Sequence, residues 1–187
     1  FGIGYSIFKQ INNNIIQENT IFIPIEDTIK INNIKLKNKE KESKKISIQY
    51  ILNLSLGENK NSSLGRIKAQ QKDNTVYLEN ICKSHFNEII EITSNEKIKL
   101  CINQNENILN ENTLIVEIET ELKPFERKTI NFILGKNTEK YVENENVEKA
   151  LKDVEEYWEQ KTSIIKVQTP SEKINLYMNK WLVYQTI

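Results

Sequence analysis

Few residues in this chain have the type and spacing to do chemistry. The stretch "ICKSHF" sets Cys82 and His85 three positions apart, a spacing seen in zinc sites, where thiolate sulfur and imidazole nitrogen are the common ligands. Such a site needs three or four ligands. The chain has one histidine, and its only thiol besides Cys82 is Cys101. The Cys82–His85 pair therefore reads as part of a strand edge, and no metal is expected. The same scarcity argues against a Ser-His-Asp or Cys-His catalytic set, which would also have to use His85. There are 26 Asp and Glu residues, yet none has an acid–base partner that spacing identifies. "FGIGYS" places Gly2 and Gly4 one residue apart. It lacks the third glycine and the following helix of a dinucleotide fingerprint, so it reads as a bend at a strand start. Trp158 and Trp181 could stack on sugar rings, but each sits at helical spacing among aliphatic residues, which is a core pattern.

Composition narrows the partners. The 187 residues carry 26 Lys and Arg against 26 Asp and Glu, so net charge is zero. A general polyanion binder needs a basic excess, so nucleic acid is not an expected partner. Two cysteines are too few for a secreted disulfide scaffold, and a reduced, cytoplasmic setting is expected. No charged-then-apolar leader opens the chain, and no run reaches the roughly 20 apolar residues that span a bilayer. The chain opens on Phe1 within a strand-like pattern and closes at Ile187 within a helical one, which gives the expectation of a fragment of a longer protein.

The elements that would position any site are mostly strands. Ile21, Ile23 and Ile25 alternate on one predicted face. Ile29 and Ile31 continue the pattern, and the phase slips at Asn32-Asn33 before Ile34 and Leu36, predicting a bulge or bend. A polar turn at 39–43 is expected to close a hairpin with the next strand. There Ile46, Ile48, Tyr50, Leu52, Leu54 and Leu56 alternate strictly up to Gly57. Residues 58–63 read as loop. Shorter strands are expected at 64–69, 76–79, 89–93, 98–102, 114–118 and 130–134, the last entered through a Pro124-Phe125 bend as a final hairpin and ended by Gly135. Strands at this spacing without helices between them predict an antiparallel β-sandwich. The period then changes. Val147, Ala150, Leu151, Val154 and Trp158 predict an amphipathic helix over 145–161, with Glu145 and Glu148 in the first turn. Thr169, Pro170 and Glu172 predict a second helix start by N-cap, first-turn proline and capping box. The segment that follows holds Ile174, Leu176, Tyr177, Met178, Trp181, Leu182, Val183 and Tyr184, and is apolar on most sides. Such a helix belongs inside a larger all-α body.

The series "FGIGYS", "IFIPIEDTIKINNIKLKN", "KKISIQYILNLSLG", "TINFILG", "VEEYWEQ" and "IIKVQTPSEKINLYMNKWLVYQTI" resembles the N-terminal region of glycoside hydrolase family 94. These are the inverting glycoside phosphorylases once grouped as glycosyltransferase family 36. Cellobiose, chitobiose and β-1,2-oligoglucan phosphorylases belong there, as does the phosphorylase-like end of cyclic β-1,2-glucan synthases. The resemblance is strongest at 21–57 and 164–187. It implies a mainly β architecture: a galactose mutarotase-like antiparallel supersandwich over 1–136, a helical linker over 137–169, and the first helix of an absent (α/α)6 barrel over 170–187. It implies a parent enzyme that converts a β-glucan or β-linked disaccharide and inorganic phosphate to a sugar 1-phosphate, without a cofactor. The implied partners are the barrel of the same polypeptide, the oligosaccharide and a second copy of the parent, with no nucleic acid and no membrane. The family's catalytic Asp lies in the barrel and has no matching position here, so this chain alone is expected to be inactive. Tyr5 and Gln185 are the candidates for substrate contact, and the rest of that set is unassigned. The alternative is a free-standing β-sandwich that binds carbohydrate or protein.

Overall fold

The computed structural model describes residues 2–101, 108–109, 112–164 and 166–182. The strands are β1 (Tyr5–Asn12), β2 (Ile15–Phe22), β3 (Lys30–Asn38), β4 (Lys44–Asn53), β5 (Ile67–Lys72), β6 (Thr75–Asn80), β7 (Ile89–Ser94), β8 (Lys99–Cys101), β9 (Ile108–Leu109), β10 (Thr113–Leu122) and β11 (Arg127–Gly135). They form an eight-stranded sheet in the order β1-β2-β3-β11-β7-β6-β5-β9 and a three-stranded sheet in the order β4-β10-β8. Every pairing is antiparallel. The helices are α1 (Lys60–Ser63), α2 (Asn144–Thr162) and α3 (Glu172–Leu176), the last running on into a π-helical stretch, Tyr177–Trp181. The expected mainly β, antiparallel fold is what forms.

The small sheet lies over the large one. In β4 the even-numbered residues Ile46, Ile48, Tyr50 and Leu52 turn inward, and Leu54 and Leu56 continue the face just past the strand. From β10 come Leu114, Val116 and Ile118, and from the large sheet Ile34, Leu36, Ile130, Phe132, Ile92, Val76, Leu78, Ile67 and Ala69. The strict alternation of 46–56 is therefore the inner face of the sandwich, as its period implies.

Neither expected hairpin forms. β3 and β4 lie in different sheets, and so do β10 and β11. The turn at 39–43 and the Pro124-Phe125 bend are crossovers that run side by side. Asn38 ties them together: it is fully buried, and its Nδ2 donates to the carbonyls of Glu42 at 2.8 Å and Lys123 at 3.0 Å. Its backbone N–H donates to Glu126 O at 3.0 Å, and Phe125 N–H donates to Glu40 O at 3.2 Å. In a hairpin, the inner residues of β3 and β4 would lie side by side on one open face. Across the sandwich they cover each other, which removes more apolar surface from water.

The slip at Asn32-Asn33 is not a bulge. β3 pairs one-to-one along its whole length, from Ile31 opposite Phe22 to Asn38 opposite Ile15 on β2, and without interruption on β11. The phase changes because both faces of β3 are covered. Ile34 and Leu36 face the small sheet, and Ile31, with Ile29 just before the strand, lies under α2. The expected face of Ile21, Ile23 and Ile25 does not form either. Pro24 has no N–H to extend the ladder, β2 ends at Phe22, and Ile23 and Ile25 are exposed while Thr20, Phe22 and Ile29 are buried. Residues 58–63 hold the short α1, closed by a capping box between Asn59 and Ser62.

α2 forms where its period predicts. Val147, Ala150 and Val154 are buried against Phe22, Ile29, Ile31, Ile133 and Tyr141, with Leu151 and Trp158 at the margin. The helix comes so close to the start of β1 that a Cβ on Gly4 would sit 2.2 Å from Trp158 Nε1, and Gly4 also has a φ of +83°. The bend read from "FGIGYS" is thus a point where only glycine fits.

Tyr50 joins the two sheets. Its ring stacks on Phe132 at 4.8 Å, and its hydroxyl donates to Asn32 Oδ1 at 3.1 Å. Burial pushes its pKa up to about 12 from 10.0. A tyrosine whose folded pKa is raised keeps its stabilising contribution below the unfolded value and loses it as pH rises. Unfolding free energy should therefore fall between about pH 10 and 12 in denaturant titrations. Tyr50→Phe should flatten that fall. At neutral pH it should cost about 1–3 kcal/mol, because Asn32 Oδ1 is left buried without its donor.

Candidate functional site

Of the residues singled out for chemistry, Cys82 and His85 share one turn, and Cys101 lies apart from them in the small sheet. Cys82 lies in the turn after β6, where its carbonyl accepts from His85 N–H at 3.0 Å and its Sγ is 3.2 Å from Ser84 Oγ. The Ser84 hydroxyl, the charge of Arg66 and the N–H groups of Ser84 and His85 hold the thiol below its usual range. Cys101 is in the small sheet, where burial and then the charge of Glu117 push its thiol up. Both cysteines are free. Among the described residues no group of three or more His, Cys, Asp or Glu could hold a metal ion. Tyr5 leans on the α2 cluster, and its hydroxyl, raised by burial and by Glu155, is hydrogen-bonded to that carboxylate. Gln185, like Val183 and Tyr184, lies outside the described residues, as does Ile102 of the strand expected at 98–102.

What the chain builds instead is a polar anchor for α2 and a local clamp on the segment that follows it. The start of α2 is held by four asparagines. Asn33 Nδ2 donates to Asn131 Oδ1 at 2.7 Å, and Asn131 Nδ2 donates to Asn144 Oδ1 at 2.6 Å. Asn95 Nδ2 donates to Asn144 Oδ1 at 3.2 Å, and Asn95 Oδ1 accepts from Asn131 N–H at 2.8 Å. Asn33 and Asn131 are buried, so the network satisfies amides that would otherwise be costly there. The turn before the helix, Thr138–Tyr141, is pinned by Asp27. Tyr141 Oη donates to Asp27 Oδ2, and Lys140 Nζ sits 2.9 Å from the same oxygen. These two donors hold the Asp27 carboxyl below the usual carboxylate range.

Past α2, the extended stretch Val167–Thr169 lies along α3 and its π continuation. Asn175 and Asn179 hold it as a second strand would. Thr169 N–H donates to Asn175 Oδ1 at 2.7 Å, and Asn175 Nδ2 donates back to Thr169 O at 2.9 Å. Val167 N–H donates to Asn179 Oδ1 at 2.7 Å, and Asn179 Nδ2 donates to Val167 O at 2.8 Å. The geometry matches because two extended residues rise about 6.6 Å and four helical residues about 6.0 Å. Sequence reading missed this clamp, whose only signal is the N-x-x-x-N spacing. It also set the N-cap at Thr169, whereas Ser171 occupies that position with no side-chain cap. Thr169 Oγ1 still accepts from Ser171 N–H at 3.2 Å, so it closes a turn just ahead of the helix. The opposite side of this helix is bare. Ile174, Leu176, Tyr177, Met178 and Trp181 are between 38% and 60% exposed, although each is a large apolar or aromatic residue.

The sequence model of the family described as "Glycosyl hydrolase 94, supersandwich domain" matches residues 1–97. No curated protein matches. Among solved structures, one described as a kojibiose phosphorylase from the human microbiome is 15% identical, with a TM-score of 0.41. That match covers 96% of this chain and 22% of the other, so this chain spans about a fifth of that protein's length. A galactose mutarotase related enzyme from Lactobacillus acidophilus is 12% identical, with a TM-score of 0.32, over 70% of this chain and 66% of the other.

The clamp makes a direct prediction. Asn179 makes two neutral hydrogen bonds and Asn175 three, the third accepted from Thr169 Oγ1 at 2.9 Å, each worth about 0.5–1.5 kcal/mol. Asn175→Ala should speed amide hydrogen exchange at Thr169 by about tenfold, and Asn179→Ala should do the same at Val167. Exchange in β3 and β11 should stay unchanged in both variants.

Proposed function

Because the chain belongs to the glycosyl hydrolase 94 family, whose supersandwich domain it carries, we propose that it is the non-catalytic sandwich-and-linker part of an inverting glycoside phosphorylase. In this reading 1–136 is the sandwich, 137–169 the linker, and 170–187 the first helix of an (α/α)6 barrel. The parent reaction is phosphorolysis of a β-glucan or β-linked disaccharide. A carboxylic acid in the barrel protonates the glycosidic oxygen while phosphate attacks the anomeric carbon from the opposite face. Phosphate replaces the water of an inverting hydrolase and needs no general base. The part played by this chain is positional. The asparagine network fixes α2 on the sheet, and the Asn175–Asn179 clamp fixes the following helix against its own linker.

The observation that carries the proposal is the bare stripe on that helix. Burying one large apolar side chain is worth about 1.5–3 kcal/mol. Ile174, Tyr177, Met178 and Trp181 recur at 3, 4 and 7 positions along one face, and a contiguous patch of this kind marks an interaction surface. Packed helices of a barrel would cover it.

Removal of residues 170–187 tests this reading. The shorter chain should keep its circular dichroism and thermal midpoint, and should be more monomeric by light scattering. Unfolding of the sandwich on removal would make the helix part of this domain's own core and contradict the proposal. The full 187-residue chain should release no sugar 1-phosphate from cellobiose, chitobiose or β-1,2-gluco-oligosaccharides in the presence of phosphate. Turnover by the purified chain would refute its non-catalytic assignment.

A further inference from the structure

α2 covers only one part of the large sheet's outer face. Its buried contacts reach Phe22 on β2, Ile31 on β3 and Ile133 on β11, with Tyr5 of β1 at the margin. Beyond β11 the sheet continues through β7, β6 and β5. There Lys68, Gln70, Lys72, Tyr77, Glu79 and Ile89 line a surface depression of about 390 Å³. That volume is at the lower end of the range for small-ligand sites. The register sets the layout: Gln70 is opposite Tyr77 and Lys68 is opposite Glu79, with Ile89 opposite Glu79 on the other side.

The charges decide the kind of ligand. Glu79 engages two ammonium groups, Lys83 at 2.7 Å and Lys68 at 3.6 Å. Lys68 and Lys83 are thus already paired, while Lys72, opposite Thr75 near the hairpin turn, has no carboxylate partner among the described residues, so a lone ammonium is all that an incoming anion would find. What remains at the centre is an aromatic ring, a primary amide and an exposed aliphatic side chain. A ring face packs against the C–H face of a sugar, and an amide offers both donors and an acceptor to hydroxyl groups. The paired Lys68 and Glu79 add further hydroxyl partners at the rim.

We propose that this face binds a neutral oligosaccharide, with Tyr77 as the stacking platform and Gln70 and the Lys68–Glu79 pair as hydroxyl partners. The choice of ligand class rests on the carbohydrate-acting reading above. The site would hold a glycan chain on the sandwich itself, apart from any catalytic residue.

The test is a titration of the isotopically labelled full chain, followed by backbone amide NMR shifts. The probes are cellotriose, laminaritriose and sophorotriose, with inorganic phosphate as a fourth titrant. At least one triose should shift amides within 67–72, 75–80 and 89–91. Tyr77→Ala should weaken that binding about tenfold or more, and Tyr77→Phe should stay within about threefold, since it keeps the ring. Gln70→Ala, on an exposed position, should weaken it about threefold and serves if Tyr77→Ala does not fold. Silence of these strands toward all three trioses would overturn the proposal. So would a larger response to phosphate, or binding unchanged in both Tyr77→Ala and Gln70→Ala. A negative titration would leave the phosphorylase reading standing, because that reading is judged by the truncation and by the phosphorolysis assay.

Discussion

The β3–β11 pair has to be covered on both faces. β3 carries Ile31 on one side and Ile34 and Leu36 on the other, and β11 carries Ile133 opposite Ile130 and Phe132. A strand with two apolar faces cannot sit on the surface of a two-layer sandwich. Most of the remaining architecture follows from this. The small sheet closes one side, which requires the chain to cross between sheets at 39–43 and again at Pro124-Phe125. α2 closes the other side, which requires glycine at position 4 and a polar anchor where the helix begins. Asn38 serves the first requirement and the Asn33–Asn131–Asn144 chain the second. The domain is therefore three layers deep at its centre, and α2 is one of those layers.

Much of this was legible from periodicity. The inner face of β4 and the buried stripe of α2 fall where their spacing puts them, because each element has one buried side and one wet side. β3 was misread for the opposite reason. With both sides buried, its phase slip looked like a bulge, although its pairing is regular. The two crossovers were read as hairpins because a polar turn between alternating strands says nothing about which sheet the second strand joins. Pro24 was the available sign that β2 could not continue through Ile23 and Ile25. Asn-rich segments hid the most. Asparagine is common in this chain, and nothing local separates a solvated one from Asn175 or Asn179, whose partners lie in another segment.

The bare stripe was legible in kind. The apolar residues from Ile174 to Trp181 announced a helix in want of cover, and five of them are exposed. How that helix is held was not legible, since the clamp depends on an extended segment running antiparallel to it. Cys82 and His85 share the turn after β6, and Cys101 lies apart in the small sheet. Among the described residues no helix is long and apolar enough to cross a membrane.

Native-state hydrogen exchange on the intact chain tests the central claim most directly. If β3 is the doubly covered centre, Ile31, Ile34, Phe132 and Ile133 should share the slowest exchange, set by global unfolding. Val154, on the helix that forms the third layer, should join that group. The amides of 175–181 should exchange faster, through opening that leaves the sandwich intact. Fast exchange at Val154 beside a protected sheet would contradict the three-layer account. Protection of 175–181 equal to that of β3 would contradict the separation of the last helix from this core.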